Sequence, residues 1–381
     1  MRLLFIGGYP NPVTPYFRVF FKNLIVAMAD NGIECYVVAP VSLSNLRNKV
    51  KSVPEIEEEK TSKGNIIRIY RPRYVSYSNK SIIGFNTGIF SELSFQHAVL
   101  KCVKKLNIQF DATYGHFFIG GGLAAIKAGR YLNIPSFVAY GECNYNDEVV
   151  KNFRKLKSRD LRGIRGVISV SSYNSDVLRS LPIFKNIPIV VIPNAVDTNL
   201  FRPMDKKECR KVLSLPNDSF IVGFVGGFID RKGDKRLLEA INNIEDVYVA
   251  FAGKGSVPPS GNKVIFCESL SHDKIPVFLN SIDIFCLPTL NEGSCNAIVE
   301  AMACAKPIIS SDLEFNYDVL NKNNSILIDP TSVKEIKDAI VLLKSDRSLQ
   351  NSFSKNAFNS SHLFDIRSRA IKIINFIKKN I

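Results

Sequence analysis

A chain of 381 residues, 46% of them hydrophobic, is too long for one ordinary core and supplies enough apolar surface for two packed domains. No window of 18 residues is both apolar and uncharged, which excludes a membrane-spanning helix, and the short apolar run at the N-terminus reads as a buried strand rather than a signal peptide. The net charge of +15 is lopsided: residues 1–193 hold 26 Lys and Arg against 13 Asp and Glu, residues 194–381 hold 24 against 22.

Strand-like runs alternate with helical patterns along the first half. LLFIGG (3–8) precedes an amphipathic stretch, residues 17–32, that ends at Gly32 as a helix cap would. ECYVVAP (34–40) is the next strand, and residues 41–64, with Glu55 and Glu57 to Glu59, read as a polar loop or short excursion. IIRIYRP (66–72), ATYGHF (112–117), PSFVAYG (135–141) and GVISVSS (166–172) continue the strands, with helices expected near 91–106, 121–132 and 174–180. Short Val-, Ile- and Phe-rich strands between helices indicate a parallel sheet covered on both faces. After a Pro-containing connector, IPIVVIPNAVDTNLFRP (187–203), a second series starts near residue 220 with FIVGFVGGF and alternates in the same way up to SVKEIKDAIVLLKS. A last helix, FDIRSRAIKIINFIKKN, carries Ile and Phe at helical spacing. The organisation is two α/β units in tandem, each with a Gly-rich first turn.

The segment PTLNEGSCNAIVEAMACAKPII (288–309) carries the most chemistry. Gly293 and Ser294 close a loop after a buried strand, and a helix starts near Cys295 or Asn296. Its first N–H groups and positive dipole end make an anion site suited to a diphosphate. Glu292 stands in that loop and Glu300 eight positions on. Two carboxylates so spaced can accept hydrogen bonds from polyol groups such as a hexose and a ribose; a bare pair of this spacing is equally two solvated glutamates.

In this context the segment resembles the signature of the retaining glycosyltransferases of family 4. Three further blocks agree: IPNAVDTNLFRP, with Ala195 where glycine is usual, FVGGFIDRKGDKRLLEAI, and AGKGS. The resemblance implies the GT-B fold, two facing Rossmann-like domains with a cleft between them. It places an acceptor domain at 1–193, a donor domain at 194–362 and a returning helix at 363–381. It implies that Glu300 binds the ribose hydroxyls, Glu292 the hexose, and Lys232 the diphosphate, with backbone contacts from Gly293, Ser294, Cys295 and Asn296. The arginine usual after Gly226 is replaced by Gly227, and Arg231 is the cation that can stand in for it. Gly7 and Gly8 follow the first strand where a cleft-facing loop belongs, or make a tight turn. His116 lies at a strand end, where ligands of parallel sheets bind, and is a catalytic candidate beside Glu292 and Lys232, although a lone His is ordinarily structural. Tyr140-Gly141-Glu142 stands where the family has a His-Gly pair, so Tyr140 and Glu142 are the acceptor-side candidates.

The expected reaction moves a hexose from a nucleotide diphosphate sugar, the co-substrate, to a hydroxyl of a glycan or lipid-linked glycan. It needs no cofactor and no metal: neither Asp-x-Asp nor a Cys/His ligand cluster occurs. An epimerase of the same fold, or a silent sugar-nucleotide-binding protein, is the alternative. The eight scattered cysteines read as reduced thiols of a cytoplasmic protein. The basic half is expected to touch an anionic membrane at its inner face, through stretches such as Arg68–Tyr74 and a basic helix over Lys151–Arg165 with Lys151, Lys155 and Arg159 at i, i+4 spacing. A solvated basic face accounts for the same charge. No nucleic-acid motif accompanies it, so nucleic acid is not an expected partner.

Overall fold

The chain forms two α/β units, and the computed structural model describes residues 1–77, 81–82, 85–86, 88–143 and 156–381. Of these, the first unit contains 1–142, 156–192 and 367–381, and the second contains Cys143 and 193–366.

In the first unit, eight strands form one sheet: β1 (Arg2–Ile6), β2 (Glu34–Val38), β3 (Ile56–Lys60), β4 (Ile66–Tyr70), β5 (Ala112–His116), β6 (Ser136–Tyr140), β7 (Ile164–Ser169) and β8 (Ile189–Val191). Their order is β8-β7-β6-β5-β1-β2-β4-β3, and every pair is parallel except β3 with β4. Leu3 to Ile6 and Phe137 to Tyr140 are buried throughout because helices cover both faces. These helices include α1 (Val19–Ala29), α2 (Gly88–Val103), α3 (Leu123–Leu132) and α4 (Ser172–Arg179), the last capped by the Ser171 hydroxyl, which accepts from Asn174 N at 3.2 Å.

Two expectations are corrected here. Residues 41–64 are not simply a loop, because the acidic cluster forms β3 at the sheet edge. Glu57 pairs with Arg71 (2.5 Å) and Glu59 with Lys22 (2.5 Å), while Glu58, whose side chain alternates to the other face, accepts from Arg68 Nε (3.0 Å). Consecutive glutamates hide a strand from pattern reading, yet at an edge their charge discourages further pairing. The basic helix over Lys151–Arg165 is likewise not found in its described part. Lys151 and Lys155 lie outside the described residues, Arg159 and Leu161 sit in a single tight turn (Ser158–Leu161), and Ile164 and Arg165 begin β7.

The second unit has six parallel strands, β9 (Phe220–Gly227), β10 (Val247–Lys254), β11 (Val264–Glu268), β12 (Ile284–Leu287), β13 (Ile308–Ser311) and β14 (Ser325–Ile328), in the order β11-β10-β9-β12-β13-β14. Helices α5 (Lys206–Val212), α6 (Asp234–Asn242), α7 (Ile275–Ser281), α8 (Asn296–Ala303), α9 (Val333–Ser345) and α10 (Arg347–Ser361) connect and cover them. The pattern did not announce α5 or α10: α5 is short and charged, and α10 is rich in Ser and Asn, which favour caps over helix interiors. Tertiary packing holds both, through buried Cys209 and Arg210 on α5 and Phe353 and Ala357 on α10. Arg210 donates to Asp283 (2.7 Å) and to the carbonyls of Ser281 and Asn217, which satisfies a charge inside the core.

The last helix, α11 (Ile366–Asn380), belongs to the first unit from Arg367 onward. It buries Ala370, Ile373, Ile374 and Ile377. Phe376 rests on Phe137, and Gly166 lacks the side chain that would collide with that ring. Apart from the excursion at Cys143, the chain passes between units after Ile192 and after Ile366, and these two passages are joined: Val196 N donates to Phe364 O and Ile366 N to Val196 O, each at 2.9 Å.

Candidate active site

In the second sheet the chain runs outward from β9 to β10 and β11, then returns to the other side of β9 as β12. The carboxyl ends of β9 and β12 thus flank the point where the order reverses, the place where open α/β sheets bind ligands. β9 ends on Gly226 and Gly227. A Cβ at Gly227 would meet nothing nearer than Lys254 O at 3.8 Å, so a side chain is not excluded there by packing. The following turn, Asp230–Lys232, brings two cations to the loop after β12. Lys232 Nζ lies 2.5 Å and Arg231 Nη1 2.9 Å from Glu292 Oε1, which also accepts from Thr289 Oγ1 at 2.9 Å. Arg231 Nη1 further donates to Asn291 O, and its own carbonyl accepts from Leu290 N (2.7 Å), locking turn to loop. Burial works against the Lys232 charge, but Cys295 and Glu292 outweigh it despite Arg231, and its pKa is raised.

Beyond Glu292, buried Gly293 leads to Ser294, which accepts Asn194 N on its hydroxyl (3.2 Å) and Asn194 Nδ2 on its carbonyl (2.9 Å). Cys295 occupies the N-cap of α8, and Asn296 opens the helix with no acidic residue in the first turn. The Asn296 Oδ1 is buried without a hydrogen-bond partner among the described residues. Glu300, one turn on, does not join the Glu292 cluster; its Oε1 lies 3.2 Å from His272 Nε2. Burial acts to lower the His272 pKa, yet the Glu300 hydrogen bond and the charges of Glu300, Asp273 and Asp197 prevail and raise it.

The first sheet has its own reversal between β1 and β5. Gly7 and Gly8 follow β1 in close packing: a Cβ at Gly7 would stand 3.0 Å from Phe21 and 3.3 Å from His116, and one at Gly8 2.5 Å from Phe17. His116 ends β5, 4% exposed, stacked on Phe21 with ring centroids 4.3 Å apart and flanked by Phe20 and Phe117. Burial, then Arg18 and Arg369, push its pKa well below the usual value, which disfavours the imidazolium. Tyr140 is fully buried within the core formed by Phe118, Ile126 and Val138. Glu142 is half-buried, and its carboxylate accepts the backbone N–H groups of Phe118, Ile119 (3.0 Å) and Gly141 (3.2 Å), fastening the turn after β5. His116, Tyr140 and Glu142 are thus in the first unit, and Glu292, Lys232, Arg231 and Glu300 in the second.

Two family descriptions match this chain, Glycosyl transferases group 1 over residues 205–360 and Glycosyltransferase Family 4 over residues 18–200. The chain belongs to the family 4-like glycosyltransferases. Among relatives it is 26% identical over 356 residues to TuaC of Bacillus subtilis (strain 168), a protein assigned to teichuronic acid biosynthesis as a glycosyltransferase, covering 89% of this chain and 88% of that one. It is 23% identical to the N,N'-diacetylbacillosaminyl-diphospho-undecaprenol alpha-1,3-N-acetylgalactosaminyltransferase of Campylobacter jejuni, over 74% of this chain and 80% of that one. The fold is shared with solved structures, among them sucrose-phosphate synthase from Thermosynechococcus elongatus (TM-score 0.77, 18% identity, 100% of this chain and 98% of that one) and Anabaena HepE in complex with UDP (0.69, 16%, 100% of both). This is the GT-B class, built of two Rossmann-like domains.

Within this glycosyltransferase, sequence reading missed Thr289, Asn194 and His272. Asn194 stands inside the IPNAVD connector, so its motif was a signal; His272 had none. Two properties of the site are directly measurable. Gly233, which closes the Arg231–Lys232 turn, has φ +81°, and a Cβ there would stand 2.4 Å from Pro288 O. Gly233→Ala is expected to destabilise the protein by about 1–3 kcal/mol, read as a lower urea midpoint; an unchanged midpoint contradicts that strain. Glu142 is the second. Burial raises its pKa to about 7 from 4.5, against the backbone N–H bonds that favour the anion. The folded state therefore holds a proton that the unfolded state has lost, so this residue's contribution to stability declines from about pH 4.5 to about 7. Glu142→Gln should gain stability relative to wild type between pH 5 and pH 8; a constant difference across that range refutes the shift.

Proposed function

We propose that this glycosyltransferase moves a hexose from a nucleotide diphosphate sugar to a hydroxyl of a glycan or lipid-linked glycan, with retention of anomeric configuration and without a metal. The observation that carries the reading is the convergence of Lys232 and Arg231 on Glu292 beside the start of α8, at the reversal point of the second sheet. Fixed cations and helix N–H groups stabilise the negative charge that builds on a departing diphosphate, the work a metal ion performs elsewhere. In this reading Glu292 accepts from the hexose and Glu300 from the ribose. Gly226, Gly227, Gly293, Ser294, Cys295 and Asn296 lie along the phosphates, and a leaving-phosphate oxygen takes the acceptor proton. Gly7 and Gly8 belong with the donor-binding groups and His116 with the catalytic ones, while Glu142 belongs to the acceptor side, supported by Tyr140 from the core.

Anabaena HepE, a structural relative, is solved with UDP and with UDP-glucose, and the Campylobacter relative is named for a diphospho-undecaprenol acceptor. Both favour a nucleotide-sugar donor and a lipid-linked acceptor for this chain. The excess charge of residues 1–193 favours work at the inner face of the membrane, with no nucleic-acid partner. No described helix is long and apolar enough to cross a membrane. A thermal-shift screen with UDP-, GDP- and ADP-sugars tests the donor reading, since a ligand of the native state raises Tm. One nucleotide sugar should raise Tm and be slowly hydrolysed without acceptor. A flat screen would sink the reading, and interconversion of the sugar would make the protein an epimerase.

A further inference from the structure

A cavity of about 600 Å³ opens in the first unit, between the segment that follows β4 and the second half of α2. Four cations line it, Arg71, Arg73, Lys101 and Lys105, against one carboxylate, Glu55. Arg71 is 2% exposed; its Nη2 donates to Pro10 O at 2.9 Å and its Nη1 pairs with Glu57. Arg73 Nη2 donates to Val53 O. Glu57 and Glu55 offset two of the four charges. The Arg71 Nε and the Arg73 Nη1 are buried without a hydrogen-bond partner among the described residues. Two of the four positive charges remain unoffset, so an anion entering the cavity is favoured electrostatically.

The cavity is far larger than a bare oxyanion needs, and Tyr70 and Pro72 add ring surface to its wall. A mostly apolar wall with a few convergent charges fits a small ligand that has both a body and an anionic group. We propose that this cavity binds an acidic saccharide, with its phosphate or carboxylate held by Arg73, Lys101 and Lys105 and its ring against Tyr70 and Pro72. The site shares no residue with the donor cluster around Glu292 or with the group around His116.

The test is calorimetric titration of the full-length protein with glucuronate, glucose 6-phosphate, glucose and inorganic phosphate, repeated on Lys101→Gln/Lys105→Gln and on Arg73→Gln. Lys101 and Lys105 are exposed, so their replacement leaves the core intact. Glucuronate and glucose 6-phosphate should bind where glucose does not, and both variants should weaken them about tenfold or more. Affinity retained in both variants overturns the proposal, as does binding of the acidic sugars no better than glucose. Inorganic phosphate binding as tightly as glucose 6-phosphate overturns the saccharide and leaves a generic anion site. Co-sedimentation with phosphatidylglycerol vesicles, lost in the variants and without binding of any free sugar acid, overturns it in favour of a membrane. A variant that only lowers Tm shows that the lysines serve the carboxyl end of α2, and that also overturns it. The nucleotide-sugar thermal shift, measured on the same variants, should not change, which keeps failure here separate from failure of the donor reading.

Discussion

Lys232→Ala is expected to lower kcat by about 10²–10³-fold, the scale on which loss of one preorganised charge-stabilising group is felt. Its Nζ is 2.5 Å from Glu292 in a turn fixed by Gly233 and by backbone bonds to the β12 loop. The charge it meets in the proposed reaction grows only as the sugar–phosphate bond breaks, so kcat should fall more than KM rises. Removing Lys232 leaves Glu292 paired with Arg231 at 2.9 Å, so the variant should fold. Arg231→Ala is the companion measurement. If Arg231 supplies the charge that the family's arginine supplies at the place of Gly227, its loss should cost about tenfold in turnover and weaken free nucleoside diphosphate binding. Wild-type kinetics for Arg231→Ala ends that compensation, and wild-type kinetics for Lys232→Ala ends the proposed charge stabilisation altogether.

Glu300→Ala should weaken donor binding by about 1.5–3 kcal/mol, the contribution of a hydrogen bond to a charged group. The same substitution removes the hydrogen bond and the nearest charge that hold the His272 pKa up, leaving burial to lower it. Proton NMR should therefore show His272 titrating lower in the variant than in wild type. The sign of the stability effect follows: the pair stabilises the fold fully below pH 6.5, the unfolded value, and the contribution is lost as pH rises through the raised folded value. Wild type should exceed Glu300→Ala in stability most at pH 6 and least under alkaline conditions. Unchanged donor affinity on a folded variant would remove the ribose assignment, and an unmoved His272 titration would remove the ion pair.

The alternation of strand and helix, the two Gly-rich first turns, the connector, and the loop-then-helix setting of Glu292 and Glu300 were legible in the amino-acid sequence alone. Each is written in the spacing of near neighbours, where periodicity, glycine and capping residues act locally. The acidic strand β3, with Glu57 to Glu59, was not legible, because its stability comes from Arg68, Arg71 and Lys22 in other elements. Tertiary structure also decided the environment of the site. Arg231 reaches Glu292 across 61 residues, His272 reaches Glu300 across 28, and Glu142 returns 23 and 24 residues to the N–H groups of Ile119 and Phe118. These partners meet only because parallel strands deliver successive loops to the same edge of a sheet, where sequence distance no longer measures separation. Local pattern fixes which residues stand at those edges; the sheet order sets which of them touch, and so which charges and hydrogen bonds govern their chemistry.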